Sequence, residues 1–300
     1  MKKVKHGGVF TAIFSIISIG YIFPIMLVFI NSFKKKAYIS RKPFDIPNGK
    51  MYVGLENYVR GIKQANFFEG AKWSTVITVG SVFLIILCTS MCAWYIVRVK
   101  NALTKAIYYL CLFAMIVPFQ MEMFTLSKLA NSLGLNTPWG LWIIYLGFGA
   151  GLSVFMFTGF VKSIPIEIEE AAMIDGCNPL QTFFGVVLPV LKPTCVTVAI
   201  LQTMWIWNDY LLPYLVLNLK KYITIPIAVQ YLKGGYGSVD MGAMMGVLVL
   251  AIIPIIIFYL FCQRYIIEGV VAWCSKRRLQ QKVLPKKSDS SIILDLRNVI

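Results

Sequence analysis

The chain has 300 residues, of which 58% are hydrophobic and 14% charged, with a net charge of +16. A soluble domain carries about 25% charged residues, so the composition excludes an ordinary water-soluble globule. The basic excess does not indicate nucleic-acid binding, because the Lys and Arg residues border apolar stretches and form no single stripe. A lone histidine, His6, argues against a catalytic or metal site built on histidine.

Six apolar stretches are long enough to cross a membrane, which takes about 20 residues of helix. Only elements that satisfy their own backbone hydrogen bonds are stable in lipid, so all six are expected to be helices. The predicted spans are residues 9–33, 74–97, 103–126, 138–161, 191–217 and 243–263. The sequence therefore predicts an all-α, polytopic membrane protein with one permease-like domain over residues 9–272, between terminal segments 1–8 and 273–300.

The orientation in the membrane does not follow from charge alone. An even number of spans places both termini on one side. The Lys and Arg residues are divided almost evenly between the two sides, because a basic cluster occupies residues 34–42. The positive-inside rule therefore gives only a weak preference for one orientation.

Residues 163–189, between the fourth and fifth spans, begin with a charged, helix-forming segment. Ser163 is expected to cap the helix and Pro165 to lie in its first turn. Several glutamates near that end favour its partial positive charge, and Gly176 is expected to adopt the left-handed conformation that ends a helix. The residues alone leave two interpretations: an interfacial amphipathic helix with solvated acids, or a surface for a soluble partner.

Residues 164–176 read IPIEIEEAAMIDG, and a Leu-Pro pair follows at 188–189. This pattern resembles the cytoplasmic coupling segment of ABC-importer permeases. In that family the segment fits a cleft on an ATP-hydrolysing subunit and passes its motion to the membrane helices. The resemblance assigns the coupling role to Glu170, Ala171, Ala172, Asp175, Gly176, Leu188 and Pro189.

The resemblance covers residues 9–272 and becomes more specific outside this segment. Further matching phrases lie at residues 54–58, 116–120, 134–140, 207–213 and 263–269. Together they resemble the second permease subunit of carbohydrate importers of the maltose and multiple-sugar type. The extended basic tail after residue 272 departs from the family pattern.

The resemblance implies half of a sugar pathway in an ATP-driven importer, and not an enzyme. The implied partners are a second homologous permease subunit, two ATPase subunits, an extracytoplasmic sugar-binding protein and the lipid bilayer. No GxxxxGK[ST] pattern occurs in the chain, so ATP and Mg are expected on the partner ATPase and no cofactor on this chain. The implied location is the cell membrane, as a multi-pass protein with both termini cytoplasmic.

Two further sets of residues are candidates for function. Gln120 and Glu122 lie in the third predicted span, where a charge is costly and usually faces a cavity or a partner. They are interpreted as lining the pathway, or alternatively as forming a structural hydrogen bond to a neighbouring helix. Gly234, Gly235 and Tyr236 lie in the last outer loop, where they are interpreted as docking the binding protein or as a plain flexible turn.

Two other functions remain open. The same architecture could import another solute, such as a glycerol phosphate ester or a polyamine. A secondary transporter could use Glu122 as a proton or ion site, but that hypothesis leaves the pattern at residues 170–176 unexplained.

Overall fold

The computed structural model describes residues 7–232 and 240–283, and only the backbone of residues 7, 9 and 264–283. Its helices are α1 (Gly7–Asn31), α2 (Lys36–Arg41), α3 (Glu56–Gln64), α4 (Phe67–Arg98), α5 (Ala102–Ala114), α6 (Phe119–Ser132), α7 (Pro138–Val161), α8 (Glu167–Ile174), α9 (Pro179–Thr182), α10 (Leu188–Asn208), α11 (Leu211–Val216), α12 (Ile225–Tyr231) and α13 (Met241–Val283). A π-helical turn, Phe183–Val187, joins α9 to α10. The part of the chain that the structure describes contains no strand, only an isolated bridge between Lys34 and Tyr52.

Five helical stretches are long and apolar enough to cross a membrane. They are Phe10–Asn31, Phe67–Arg98, Pro138–Val161, Pro179–Asn208 and Met241–Gln263. Helices α5 and α6 together give a sixth span if the bent pair is counted as one crossing. The predicted all-α, polytopic fold is confirmed.

The third predicted span, residues 103–126, is not one straight helix. The chain bends by 107° between α5 and α6, and Pro118 has an extended backbone, with ψ of 132°, just before α6 begins. Proline has no backbone N–H, and it also disfavours helical geometry in the residue before it. The break therefore follows from Pro118, which the count of apolar residues did not weigh.

The fifth predicted span, residues 191–217, also differs from the structure. Helix α10 ends at Asn208, and Asp209 turns to an extended conformation with ψ of 120°. The Asp209 carboxylate then accepts hydrogen bonds from the backbone N–H groups of Leu211 (2.9 Å) and Leu212 (3.3 Å). A side chain that accepts hydrogen bonds from the first N–H groups of a helix marks the start of that helix. Helix α11 is therefore separate from α10.

Helix α4 is the centre of the packing. It contacts α7 along much of its length and also meets α5, α10 and α12. The side chains of Ile85, Leu141, Tyr145 and Phe157 are fully buried in this core. Close packing here fixes the position of the α4 C-terminus, which lies next to the segment that follows α7.

The segment between α1 and α4 is more ordered than an ordinary solvated loop. Asn57 is completely buried and donates hydrogen bonds to the backbone carbonyls of Ser32 (2.7 Å) and Lys34 (2.8 Å). Lys34 is also fully buried, and its ammonium group donates to the carbonyls of Lys42 and Pro43. Burial lowers the pKa of the Lys34 ammonium group, while the negative charge of Asp45 opposes that shift.

Helix α13 continues past the predicted end of the sixth span. It runs from Met241 to Val283, so the backbone is helical through the boundary that the sequence placed at residue 272. The basic segment after residue 272 therefore begins as a continuation of the last helix.

Candidate functional site

The short helix α8 lies between α7 and the helices that lead into α10. Two turns carry the chain out of α7, with hydrogen bonds from Ser163 N–H to the carbonyl of Phe160 and from Ile164 N–H to that of Val161. Ser163 does not cap α8, contrary to the prediction, because the hydroxyl donates to the carbonyl of Phe160 (2.7 Å) and the helix starts only at Glu167.

Three acidic residues occupy the first turn of α8: Glu167, Glu169 and Glu170. The unpaired N–H groups at a helix N-terminus carry partial positive charge, so carboxylates there stabilise the helix. Ile166 precedes the helix and provides no side-chain cap, so this charge interaction is the stabilising feature at the start of α8. Helix α8 is therefore a defined helix although it has only eight residues.

Gly176 ends α8 with the predicted left-handed conformation, at a φ of 88°. The Cys177 N–H donates to the carbonyl of Ala172 (3.0 Å), and the Gly176 N–H donates to that of Met173 (3.1 Å). This pair of bonds is the Schellman motif. Asn178 then caps α9 reciprocally with Gln181, so both ends of the α8–α9 turn have fixed geometry.

The predicted coupling residues divide into an outward group and an inward one. Glu170 and Ala171 on α8 and Asp175 and Gly176 just after it are exposed, while Ala172 is buried. Leu188 and Pro189 lie on a different element, at the start of α10, where Leu188 is half-buried and Pro189 exposed. The exposed face also carries large apolar side chains, with Ile174 86% and Met173 51% accessible.

Glu169 is a residue of this site that the sequence reasoning missed. It is 3% exposed and accepts hydrogen bonds from the Arg98 guanidinium at 2.6, 3.0 and 3.1 Å. The indole N–H of Trp94 donates to the same carboxylate at 2.9 Å. A helical spacing of three puts Glu169 on the face of Ala172, but the sequence does not show that this face is buried against α4.

Gln120 and Glu122 lie in the first turn of α6, directly after the break at Pro118. Gln120 is exposed and Glu122 half-buried. The neighbouring Phe119 packs edge-on against Phe148, at 5.4 Å between ring centroids. Phe148 in turn contacts Trp205 at 6.5 Å, and Trp205 is 43% exposed.

The third group of predicted residues cannot be placed. Gly234, Gly235 and Tyr236 lie outside the described residues. The segments that flank them are α12 and the start of α13. Docking of a partner at these residues stays a prediction.

The geometry defines a class of protein: a polytopic helical membrane protein with a short acid-rich helix between two spans. Residues 97–271 match the family described as binding-protein-dependent transport system inner membrane component. The chain belongs to this family, and it is a permease subunit of an ABC importer located in the cell membrane as a multi-pass protein.

Two curated relatives are similar over most of their length. One is "Probable starch degradation products transport system permease protein AmyC" of Thermoanaerobacterium thermosulfurigenes, 36% identical over 87% of this chain and 94% of that protein. Another is the multiple sugar-binding transport system permease protein MsmG of Streptococcus mutans, 36% identical over 82% of this chain and 89% of that protein. The predicted resemblance to carbohydrate-type permeases is confirmed.

A solved structure has the same fold. It is the crystal structure of a bacterial ABC transporter involved in the import of the acidic polysaccharide alginate, with a TM-score of 0.71 over 86% of this chain and 95% of that chain. The two sequences are 22% identical, so this likeness concerns the fold alone.

Proposed function

We propose that this chain forms half of the pathway through which an ATP-driven importer takes up an oligosaccharide. The observation that supports this most is the placement of an exposed, acid-rich helix, α8, at the ends of α4 and α7. Such a helix offers a soluble subunit a rigid contact between two membrane spans. The full importer would contain a second homologous permease, two ATPase subunits and an extracytoplasmic sugar-binding protein.

The proposed cargo rests on the relatives and on the chemistry near the break in α5–α6. Both relatives named above are permeases for sugars or starch products. Gln120, Glu122 and the exposed face of Trp205 are proposed to line the pathway. Amide and carboxylate groups bind hydroxyls by hydrogen bonds, and an aromatic face supplies contact area for a sugar ring.

Uptake into vesicles tests the cargo class. We expect the reconstituted importer to take up at least one of maltotriose, raffinose and arabinotriose in the presence of ATP and its binding protein. We expect no uptake of glycerol 3-phosphate, because the proposed lining of Gln120, Glu122 and Trp205 leaves a phosphate charge unpaired. Uptake of spermidine in place of the sugars would contradict the proposed cargo. Radiolabelled solutes measure the uptake. Uptake driven by an ion gradient in the absence of the ATPase would contradict the proposal.

The proposed mechanism is alternating access. ATP binding closes the ATPase pair, α8 moves with it, and the two permease halves rotate to open the pathway outward. Hydrolysis then resets the assembly. In this scheme ATP and Mg stay on the ATPase. The assembly has two global states, and ATP bound to the ATPase shifts the balance between them. The proposed orientation places α8 and both termini in the cytoplasm.

The outward face of α8 is proposed to be the ATPase contact. We expect the triple variant Glu170→Lys, Asp175→Lys and Gly176→Pro to retain about tenfold less ATPase subunit in a pull-down, because reversed charges oppose the partner's complementary groups. Proline cannot adopt the φ of 88° at Gly176, so the helix end also changes.

The matched control reverses two exposed acids elsewhere, Asp45→Lys and Glu56→Lys, on the segment between α1 and α4. That segment is separated from α8 by the span α4, so retention should be unchanged. Equal retention by the triple variant and the control would show that α8 is not the contact.

A further inference from the structure

Two adjacent glutamates of α8 have opposite environments. Glu170 is exposed, whereas Glu169 is 3% exposed. A partner that binds the outer face of α8 would reach Glu170 and could not reach Glu169. The buried carboxylate therefore has a task inside the chain.

The partners of Glu169 belong to α4, a membrane helix more than 70 residues earlier in the sequence. Arg98 is the last residue of α4, and its guanidinium binds both carboxylate oxygens while also donating to the carbonyl of Ile164 (3.0 Å). Trp94 lies one turn earlier on the same face of α4 and donates to the carboxylate as well. Three donor groups from one helix thus hold a single residue of α8.

The surrounding side chains restrict movement of these donors. The Trp94 ring packs against Phe183, with 5.5 Å between centroids, and Phe183 is fully buried. Ile164, whose carbonyl Arg98 binds, is itself part of the buried core. The guanidinium therefore connects α4 to both the entrance of α8 and its first turn.

A contact of this kind transmits displacement better than apolar packing does. Arg and carboxylate meet through parallel hydrogen bonds with fixed directions, which adds geometric specificity to the attraction. Apolar contacts are non-directional, so two helices joined only by them can slide by small distances. Coupling between distant sites needs an element whose arrangement both sites bias.

We infer that Glu169, Arg98 and Trp94 form a positioning strut that makes α8 and α4 move as one body, an inference that rests on the proposed function. Within this chain the strut is the route by which a push on α8 reaches the core formed by α4 and α7. Glu169 acts through Arg98 and does not touch the ATPase. Its role is distinct from that proposed for Glu170.

The test compares transport with ATP hydrolysis in the reconstituted importer. The variant Arg98→Met with Glu169→Leu removes the strut and fills its space with apolar side chains. We expect it to retain the ATPase subunit and to hydrolyse ATP, while the ATP consumed per oligosaccharide imported rises about tenfold, a size typical of coupling between sites. The oligosaccharide used is whichever of maltotriose, raffinose and arabinotriose the unchanged importer takes up.

A milder variant covers the case in which the double change does not assemble. Trp94→Phe keeps an aromatic ring next to Phe183 and leaves the ion pair in place, while it removes the indole N–H together with part of the ring. We expect a smaller rise in ATP consumed per sugar, in the same direction. Glu56→Gln, at an exposed acid on α3, is the control and should leave the ratio unchanged.

The possible outcomes separate this inference from the proposed function. If transport and hydrolysis fall in equal proportion, or if the ratio in both variants equals that of the unchanged chain, the strut is only structural and the inference is wrong. If the unchanged chain retains no ATPase subunit at all, both the proposed function and this inference are wrong.

Discussion

Replacing Glu169 with Ala is expected to lower the free energy of unfolding of this chain by about 3 kcal/mol, because it leaves the Arg98 charge unpaired at a nearly buried site. The Arg98 side chain is 19% exposed and the Glu169 side chain 4%. Removing one partner of a buried pair costs about 3–5 kcal/mol, and the residual access of Arg98 to water favours the lower end. Unfolding by sodium dodecyl sulfate in mixed micelles, followed by circular dichroism, measures the change.

Two further variants show whether the loss comes from the unpaired charge. Arg98→Met with Glu169→Leu should recover most of the stability, since a buried ion pair replaced by apolar residues of similar size is often neutral. Glu167→Ala, at an exposed acid of the same turn, should cost less than about 1 kcal/mol. A double variant as unstable as Glu169→Ala would show that packing, and not charge, sets the cost.

Two local features of the site could be predicted from the sequence, although the cap expected at Ser163 does not form. Gly176 was expected to end α8 in a left-handed conformation, and it does, because few other residues adopt that φ without strain. The acidic residues of this segment were likewise expected to lie at the N-terminus of a helix, where carboxylates are stabilising. Both features depend on neighbours within a few residues, so the sequence contains all the information they need.

The burial of Glu169 could not be predicted in the same way. It depends on where the end of α4 lies relative to α8, and therefore on the packing of α4 against α7. The segment around Asn57 shows the same limit, since its burial depends on Gly242 and Gly246 of α13, which lie against it. Contacts between residues far apart in the chain follow from the fold, and a pattern read along the sequence does not contain them.

The two broken spans show a different limit. Both Pro118 and Asp209 are visible in the sequence, but the spans were counted from their apolar character. That count measures whether a segment is stable in lipid and does not measure whether it is straight. A proline, or an acid that caps a new helix, changes the direction of the chain, while the mean hydropathy of the segment stays nearly the same.

Gly140→Ala is expected to destabilise the chain by about 3 kcal/mol, the upper end of the cost of overpacking, because the new methyl group would meet backbone and not a flexible side chain. A Cβ at Gly140 would lie 2.6 Å from the carbonyl carbon of Leu135 and 2.7 Å from its Cα. Leu135 cannot retreat easily, since its N–H donates to the carbonyl of Ala130 (2.8 Å). The same micelle titration measures the loss.

The matched control for Gly140 lies on the same helix. A Cβ at Gly147 of α7 would have no atom within 4 Å, and alanine favours a helix over glycine by about 1 kcal/mol. Gly147→Ala should therefore leave the chain as stable as before or slightly more stable. Because Leu135 lies in the link between α6 and α7, a shift of Leu135 in Gly140→Ala should also displace Gln120 and Glu122 relative to Trp205. If both glycine variants have equal stability, the contact between Gly140 and Leu135 is not what fixes this turn.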